Sequence, residues 1–174
     1  LNKCMESTHT NTYAPNRIAP LKQATRDMFR SLHKQYPIAL TLTLKQSYPI
    51  TNANGTYIQK LNKDEVRRIA THFKNKLNQQ IFGSSAKRYG KGLKYLIVME
   101  GERTYKNLHL HMAIGEKPDY VKWSDLDALV RNAKRKIIEI DEEHKVDIVD
   151  SGWSEYITKE LGMTDTDNVF WDLA

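Results

Sequence analysis

Residues 107 to 115 read Asn-Leu-His-Leu-His-Met-Ala-Ile-Gly. Strict two-residue alternation describes an extended strand, because successive side chains leave a strand on opposite faces. Leu108, Leu110, Met112 and Ile114 point one way, and His109, His111 and Ala113 the other. An unbroken apolar face has to be covered, so this strand belongs to a sheet with at least one helical layer packed on it. The opposite face carries two imidazoles side by side, and neutral imidazole is the commonest metal-binding side chain. An isolated pair of this kind is more often packing than ligation. The segments around it therefore decide how it is read.

Leu93 to Glu100 is almost continuously apolar, as a central strand buried on both faces would be. A short turn, Gly101 to Lys106, joins it to the histidine strand and predicts an antiparallel hairpin. Ile38 to Leu44 is a further strand, with Leu40, Leu42 and Leu44 on one side and Thr41 and Thr43 on the other. His144 to Val149 reads as a short strand. Gln46 to Leu61 reads as a loop or a small hairpin turning at Asn54-Gly55.

Four helices are predicted. From Leu21 to Tyr36 the apolar stripe is Leu21, Ala24, Met28, Leu32 and Tyr36, and Pro37 ends it. Its cations, Lys22, Arg26, Arg30 and Lys34, are either a solvated face or a nucleic-acid contact. Asn62 is a good N-cap with Glu65 as its capping-box partner, and the stripe Val66, Ile69, Ala70, Phe73, Leu77 and Ile81 runs on to Gly83. Ser124 is placed to cap a helix with Leu126, Leu129, Val130, Ala133 and Ile137 on one face. Ser151 is placed to cap a last helix, Gly152 to Leu161, stopped at Gly162. Lys87, Arg88, Lys91 and Lys94 stand among glycines as a basic loop that could meet phosphates. The order of elements predicts an α+β fold, a central antiparallel β-sheet flanked by helices. Residues 21 to 162 make one domain, with an irregular arm before it (1 to 20) and an acidic tail after it (163 to 174).

The chain of 174 residues carries a net charge of +6, which favours a polyanionic partner. Cys4 is the only cysteine, so neither an intramolecular disulfide nor a cysteine zinc site is expected. No apolar run is long enough to span a membrane, and the first residues do not resemble a signal peptide; a cytoplasmic setting is expected. The first residue is Leu1 rather than Met, as in a domain cut from a longer protein.

Two histidines leave a metal site short of a ligand. Glu100, at the end of the partner strand, shares their face if it lies opposite His109 or His111. Glu102 has the same parity, but it falls in the turn, and Glu100 is preferred. Two imidazoles and a carboxylate leave positions open for water and substrate, as catalytic metal sites do. On the last helix, Trp153, Ile157 and Leu161 form the buried stripe, and Tyr156 and Lys159, at i and i+3, share the adjacent face. A phenol is a weak nucleophile, with a free pKa of about 10. A metal that polarises a phosphate, with an ammonium group beside the phenol, makes its attack feasible.

Thr-Leu-Thr on a strand, then His-Leu-His, then Tyr-Ile-Thr-Lys on a helix together resemble the HUH endonucleases. They are most similar to the single-tyrosine replication initiators of rolling-circle plasmids and phages. The resemblance spans Thr41 to Lys159. It implies that His109, His111 and Glu100 bind a divalent ion, Mn²⁺ or Mg²⁺. It implies that Tyr156 attacks DNA to leave a 5′-phosphotyrosine, and that Lys159 stabilises the charge. Thr41 and Thr43 would pack beside the site, and Lys87, Arg88 and Lys91 would hold the DNA backbone. The partners implied are single-stranded or hairpin DNA at an origin, and host replication proteins. No nucleotide cofactor and no membrane is expected.

A single-tyrosine transposase or a relaxase would share this chemistry. In relaxases, however, the tyrosine commonly precedes the histidines, whereas Tyr156 follows His111 by 45 residues. A non-catalytic DNA-binding module on the same fold is the alternative of a different class. A two-histidine phosphoesterase is excluded because no histidine has Ser or Thr two residues on, and a His-Glu-x-x-His protease because that motif is absent.

Overall fold

In the computed structural model, residues 20–101, 107–161 and 167–174 are described. The N-terminal arm up to residue 19, with Cys4, lies outside them, as do most of the predicted turn, with Glu102, and residues 162–166.

Four strands form one sheet in the order β4-β5-β1-β6, every neighbour antiparallel: β1 (Ile38–Leu44), β4 (Lys94–Glu100), β5 (His109–Gly115) and β6 (Ile140–Ile148). The expected α+β class and antiparallel sheet are thus the observed ones. β6 begins four residues before the predicted strand, since Leu44 pairs with Ile140 after a shift in register. Gln46 to Leu61 forms a separate hairpin of β2 (Ser47–Asn52) and β3 (Gly55–Lys60). Its turn is Ala53-Asn54, one residue earlier than predicted, with the Asn52 side chain accepting from the Asn54 amide.

Each face of the sheet has its own core. The leucines of β1, with Ile97, Met99, Leu110 and Met112, pack under α2 (Lys63–Phe82) and α4 (Leu126–Lys134). The six predicted stripe residues of α2 are all buried, and burial of each of the five larger side chains, Ala70 excepted, contributes roughly 1.5–3 kcal/mol. Asn62 and Glu65 make both capping-box hydrogen bonds. The opposite face, with Ala39, Leu96, Val98 and Ala113, is covered by α1 (Pro20–Leu32) and α5 (Trp153–Ile157).

Several helix boundaries differ from the sequence reading. α1 ends at Leu32, four residues early, and buries Thr25 and Phe29, while Leu21 is exposed. The inward face turns because Phe29 fits between Trp153 and Trp171, at centroid distances of 6.2 and 6.0 Å. Ser124 does not cap α4; it lies in a 3₁₀ turn, Trp123–Asp125, where the Asp125 carboxylate accepts from the Lys122 amide. Ser151 does not cap α5; Asp150 accepts from the amides of Gly152 and Trp153, which suits a carboxylate at a helix start. Lys87 and Arg88 stand on a short helix, α3 (Ser84–Tyr89), rather than in a loop, and Lys94 is in β4, paired with Glu116.

The acidic tail closes an edge of the sheet. The Met99 amide donates to the Asn168 carbonyl and the Phe170 amide to the Ile97 carbonyl, while Val98 bridges Val169. Val169 enters one core and Phe170 the other.

Candidate active site

Two neighbouring rows cross the sheet on the α1/α5 side. One is Glu100, His109 and Thr43; the other is Val98, His111, Thr41 and Lys145. Glu100 pairs directly with His109, so the expected placement of the carboxylate holds. Gly101 permits it: its φ is +103°, and a Cβ there would lie 2.5 Å from the Asn107 carbonyl oxygen. No other residue type fits that close approach without strain.

The side chains converge. His111 Nε2 lies 2.6 Å from Glu100 Oε2, and Lys159 Nζ lies 2.6 Å from Glu100 Oε1. Lys159 Nζ also sits 3.9 Å from the Tyr156 ring centroid, and the Tyr156 ring meets His111 edge-on at 5.3 Å. The two imidazoles are 6.1 Å apart and nearly parallel. Glu100 and His111 are buried, while Tyr156 is 52% exposed, open to a large substrate.

The electrostatics follow from these contacts. Burial alone would push the Glu100 carboxyl up, but the hydrogen bonds from His111 and Lys159 overcome it and hold the pKa at about 2. An ionised carboxylate only accepts, so His111 Nε2 donates to Glu100, and the Thr41 hydroxyl lies 3.1 Å from Nδ1. Thr41 therefore orients His111. Burial, then the neighbouring His111, lowers the pKa of His109 and favours its neutral form. Burial also works against the Lys159 charge, but Glu100 overcomes it and raises that pKa.

Among the described residues no three His, Cys, Asp or Glu side chains are already drawn together as a metal cluster. Glu100 instead has both oxygens on His111 and Lys159. The donor set nevertheless fits a divalent ion. Metal–ligand bonds of about 2.0–2.2 Å put adjacent donors about 3 Å apart, so to bind an ion His111 Nε2 has to give up its proton, with Nδ1 then carrying one toward the Thr41 hydroxyl, and to separate from Glu100 Oε2 by roughly half an ångström. His109 Nδ1 is buried with no hydrogen-bond partner among the described residues, as an imidazole awaiting a ligand would be.

The helix that carries Tyr156 is held from outside. Arg26 donates to the Thr158 hydroxyl at 2.7 Å, Lys22 to the Lys159 carbonyl at 2.8 Å, and Arg30 pairs with Glu155 at 3.0 Å. These α1 cations, read from sequence as solvated or DNA-facing, position α5 instead. α5 ends at Ile157, four residues before the predicted Leu161, and Lys159 and Glu160 lie in the turn after it; Glu160, which sequence reasoning passed over, accepts from the Gly101 amide at 2.7 Å and ties that turn to the end of β4. A groove of about 400 Å³ leads from His111 and Tyr156 past Thr41 to Lys145, Asp147 and Asp150. Lys145 also escaped the sequence reading, and only its register opposite Thr41 reveals it.

Lys87, Arg88 and Lys91 are not brought to this site. They precede β4, whose seven residues carry the chain about 20 Å to Glu100, and α3 follows directly on α2 with none of its residues buried.

Glu100 makes acid stability a test of this geometry in metal-free protein. Its folded pKa of about 2 lies below the ordinary 4.5, so its stabilisation is complete above pH 4.5 and is lost as the pH falls through 2. Urea titrations in EDTA should show up to about 3 kcal/mol of pH-dependent stability in that window from this one group. Glu100→Gln should flatten that limb; an unchanged slope would mean that the carboxylate is not held as described.

No family model matches the chain, and no curated protein or solved structure matches it. No helix among the described residues is long and apolar enough to cross a membrane.

Proposed function

We propose that the protein is a metal-dependent, site-specific nickase and strand-transfer enzyme for single-stranded DNA, acting in the initiation of rolling-circle replication. The observation that supports this reading best is the meeting of Tyr156, Lys159, Glu100 and His111 from three separate stretches of chain. A half-exposed phenol beside an ammonium group and a carboxylate–imidazole pair suits phosphoryl transfer to tyrosine.

His109, His111 and Glu100 would hold the divalent ion, which when bound supplies Lewis-acid polarisation of the scissile phosphate. Tyr156 Oη attacks phosphorus, forming a P–O bond as the bond to the 3′-oxygen breaks. The phenolic proton passes to solvent, and the departing 3′-oxygen takes up a proton. Lys159, 3.9 Å from the ring centroid, favours negative charge on the phenol and the phosphate. The 5′-phosphotyrosine conserves the bond energy, so attack by a 3′-hydroxyl restores a DNA strand at the same site.

The test is incubation with labelled single-stranded oligonucleotides from its own replicon, with Mn²⁺ or with EDTA, resolved on a denaturing protein gel. A covalent adduct that needs the metal and Tyr156 is the expected result. Cleavage without an adduct would make the site a hydrolase. Metal binding with no cleavage of any DNA would favour a binding module.

A further inference from the structure

A cavity of about 600 Å³ opens at the end of the sheet where Leu44 pairs with Ile140, between the C-terminal end of α4 and the first residues of β6. Small-molecule sites span about 300–1,000 Å³, so it is of ordinary size for one. Neither Tyr156 nor His111 lines it. Its cations are Lys45, Arg131, Lys134 and Arg135. Arg131 is paired with Asp127.

A helix dipole favours cations at the C-terminal end, which accounts for the charge of Lys134 and Arg135 at the end of α4. It does not account for burial. Lys134 is only 7% exposed, and no carboxylate among the described residues pairs with it. Its ammonium donates to the carbonyls of Asp141 and Glu142, which uses two of its three protons. Burial, the largest influence, pushes its pKa below the ordinary lysine value, and the nearby charges of Asp141 and Glu142 offset that only in part. A buried charge without a directly bonded counter-charge is costly, so an ammonium kept in a cavity wall points to an anion that enters.

The rest of the wall narrows the choice of anion. Lys45 and Arg135 are exposed and form no ion pair among the described residues, so a group held by Lys134 meets two further cations. A phosphate monoester, with a charge of about −1.5 to −2 at pH 7, matches them. A terminal phosphate can reach a buried ammonium, whereas a phosphate inside a nucleic-acid strand carries a sugar on either side. Ile137 and Ile138 offer an apolar surface to a flat ring. The Glu142 carboxylate can accept from hydroxyl or amine groups on the same ligand.

We infer that this cavity binds a nucleoside monophosphate, with its phosphate on Lys134, Lys45 and Arg135 and its nucleoside over Ile137 and Ile138. Such a ligand acts on the protein rather than in strand transfer, for which no nucleotide is expected. None of these residues belongs to the Tyr156 site, so the ligand binds whether or not that site cuts DNA.

The common ribonucleoside 5′-monophosphates, their nucleosides, inorganic phosphate and a single-stranded oligonucleotide without terminal phosphates are titrated separately into the full chain by calorimetry. At least one monophosphate should bind saturably, roughly tenfold or more tighter than inorganic phosphate or its own nucleoside. Lys45→Ala with Arg135→Ala, at two exposed positions, should weaken that binding about tenfold, as the loss of charge-assisted contacts does. Lys134→Met should weaken it further; if that protein fails to fold, the exposed pair still decides. Lys87→Ala with Lys91→Ala removes the same charge from around α3 and should leave the binding unchanged. Absence of saturable binding by every monophosphate, or equal binding of inorganic phosphate, would overturn the inference. An equal loss in the Lys87, Lys91 protein would overturn it too, by making the effect one of net charge. An oligonucleotide that loses as much affinity as the monophosphate in the Lys45, Arg135 protein would assign the cavity to a nucleic-acid strand instead.

Discussion

Tyr156→Phe should fold like the wild type and lose adduct formation by about 10⁴-fold or more, the scale on which removal of a nucleophile acts. The substitution is clean for structural reasons. It removes one oxygen from a residue that is half-exposed, and the ring's edge-on contact with His111 and its stacking under the Lys159 ammonium remain, although Lys159 loses the phenol as a hydrogen-bond partner. Binding of the single strand and of Mn²⁺ should therefore change little. Gel adduct yield and calorimetric Mn²⁺ titration, run on the same preparation, separate the two effects. An adduct surviving in Tyr156→Phe would move the nucleophile elsewhere, and a collapse of metal binding would make the phenol a structural member of the site.

Phe29→Ala should lower the free energy of unfolding by about 3–5 kcal/mol, measured by urea denaturation. Phe29 is 1% exposed and lies against both Trp153 and Trp171, so its removal leaves a cavity where α1, α5 and the tail meet. Against a total stability of about 5–15 kcal/mol that is a large fraction. Its effect on activity should exceed its effect on the folded fraction, because α5 is only five residues long and depends on α1 for its position. Retained stability would mean that the helices close over the gap. Thr41→Val tests positioning at a gentler level. It keeps the shape and removes the hydroxyl on His111 Nδ1, and should weaken Mn²⁺ affinity by about 10–100-fold.

What could be read before the fold was known follows from the range of the interactions involved. The face that Glu100 shares with the histidines was legible because a strand has period two and the turn between the two strands is short; the register that sets it opposite His109 rather than His111 was not, because parity is the same for both. The Asn62–Glu65 capping box was legible because it is local. The phase of α1 was not: Met28 and Phe29 are both apolar, and the choice between them is made by Trp153 and Trp171, more than a hundred residues on. The same distance hid the use of Arg26 and Lys22, whose partners are Thr158 and the carbonyls of Lys159 and Leu161. The tail resisted assignment because its alternation, Val169 to one core and Phe170 to the other, occupies too few residues to show a period.

That tail also sets how copies of the sheet can meet. Residues 168–170 hydrogen-bond to the centre of β4, so a continuous ladder cannot be added on that side. Among the described strands of the main sheet, only β6 keeps an open flank, and it alternates charges along that flank with Glu143, Lys145 and Asp147. A particle with one open flank can join edge to edge with one other copy, two-fold and closed. Repetition of that contact into a filament requires two flanks, and residues 168–170 seal one of them.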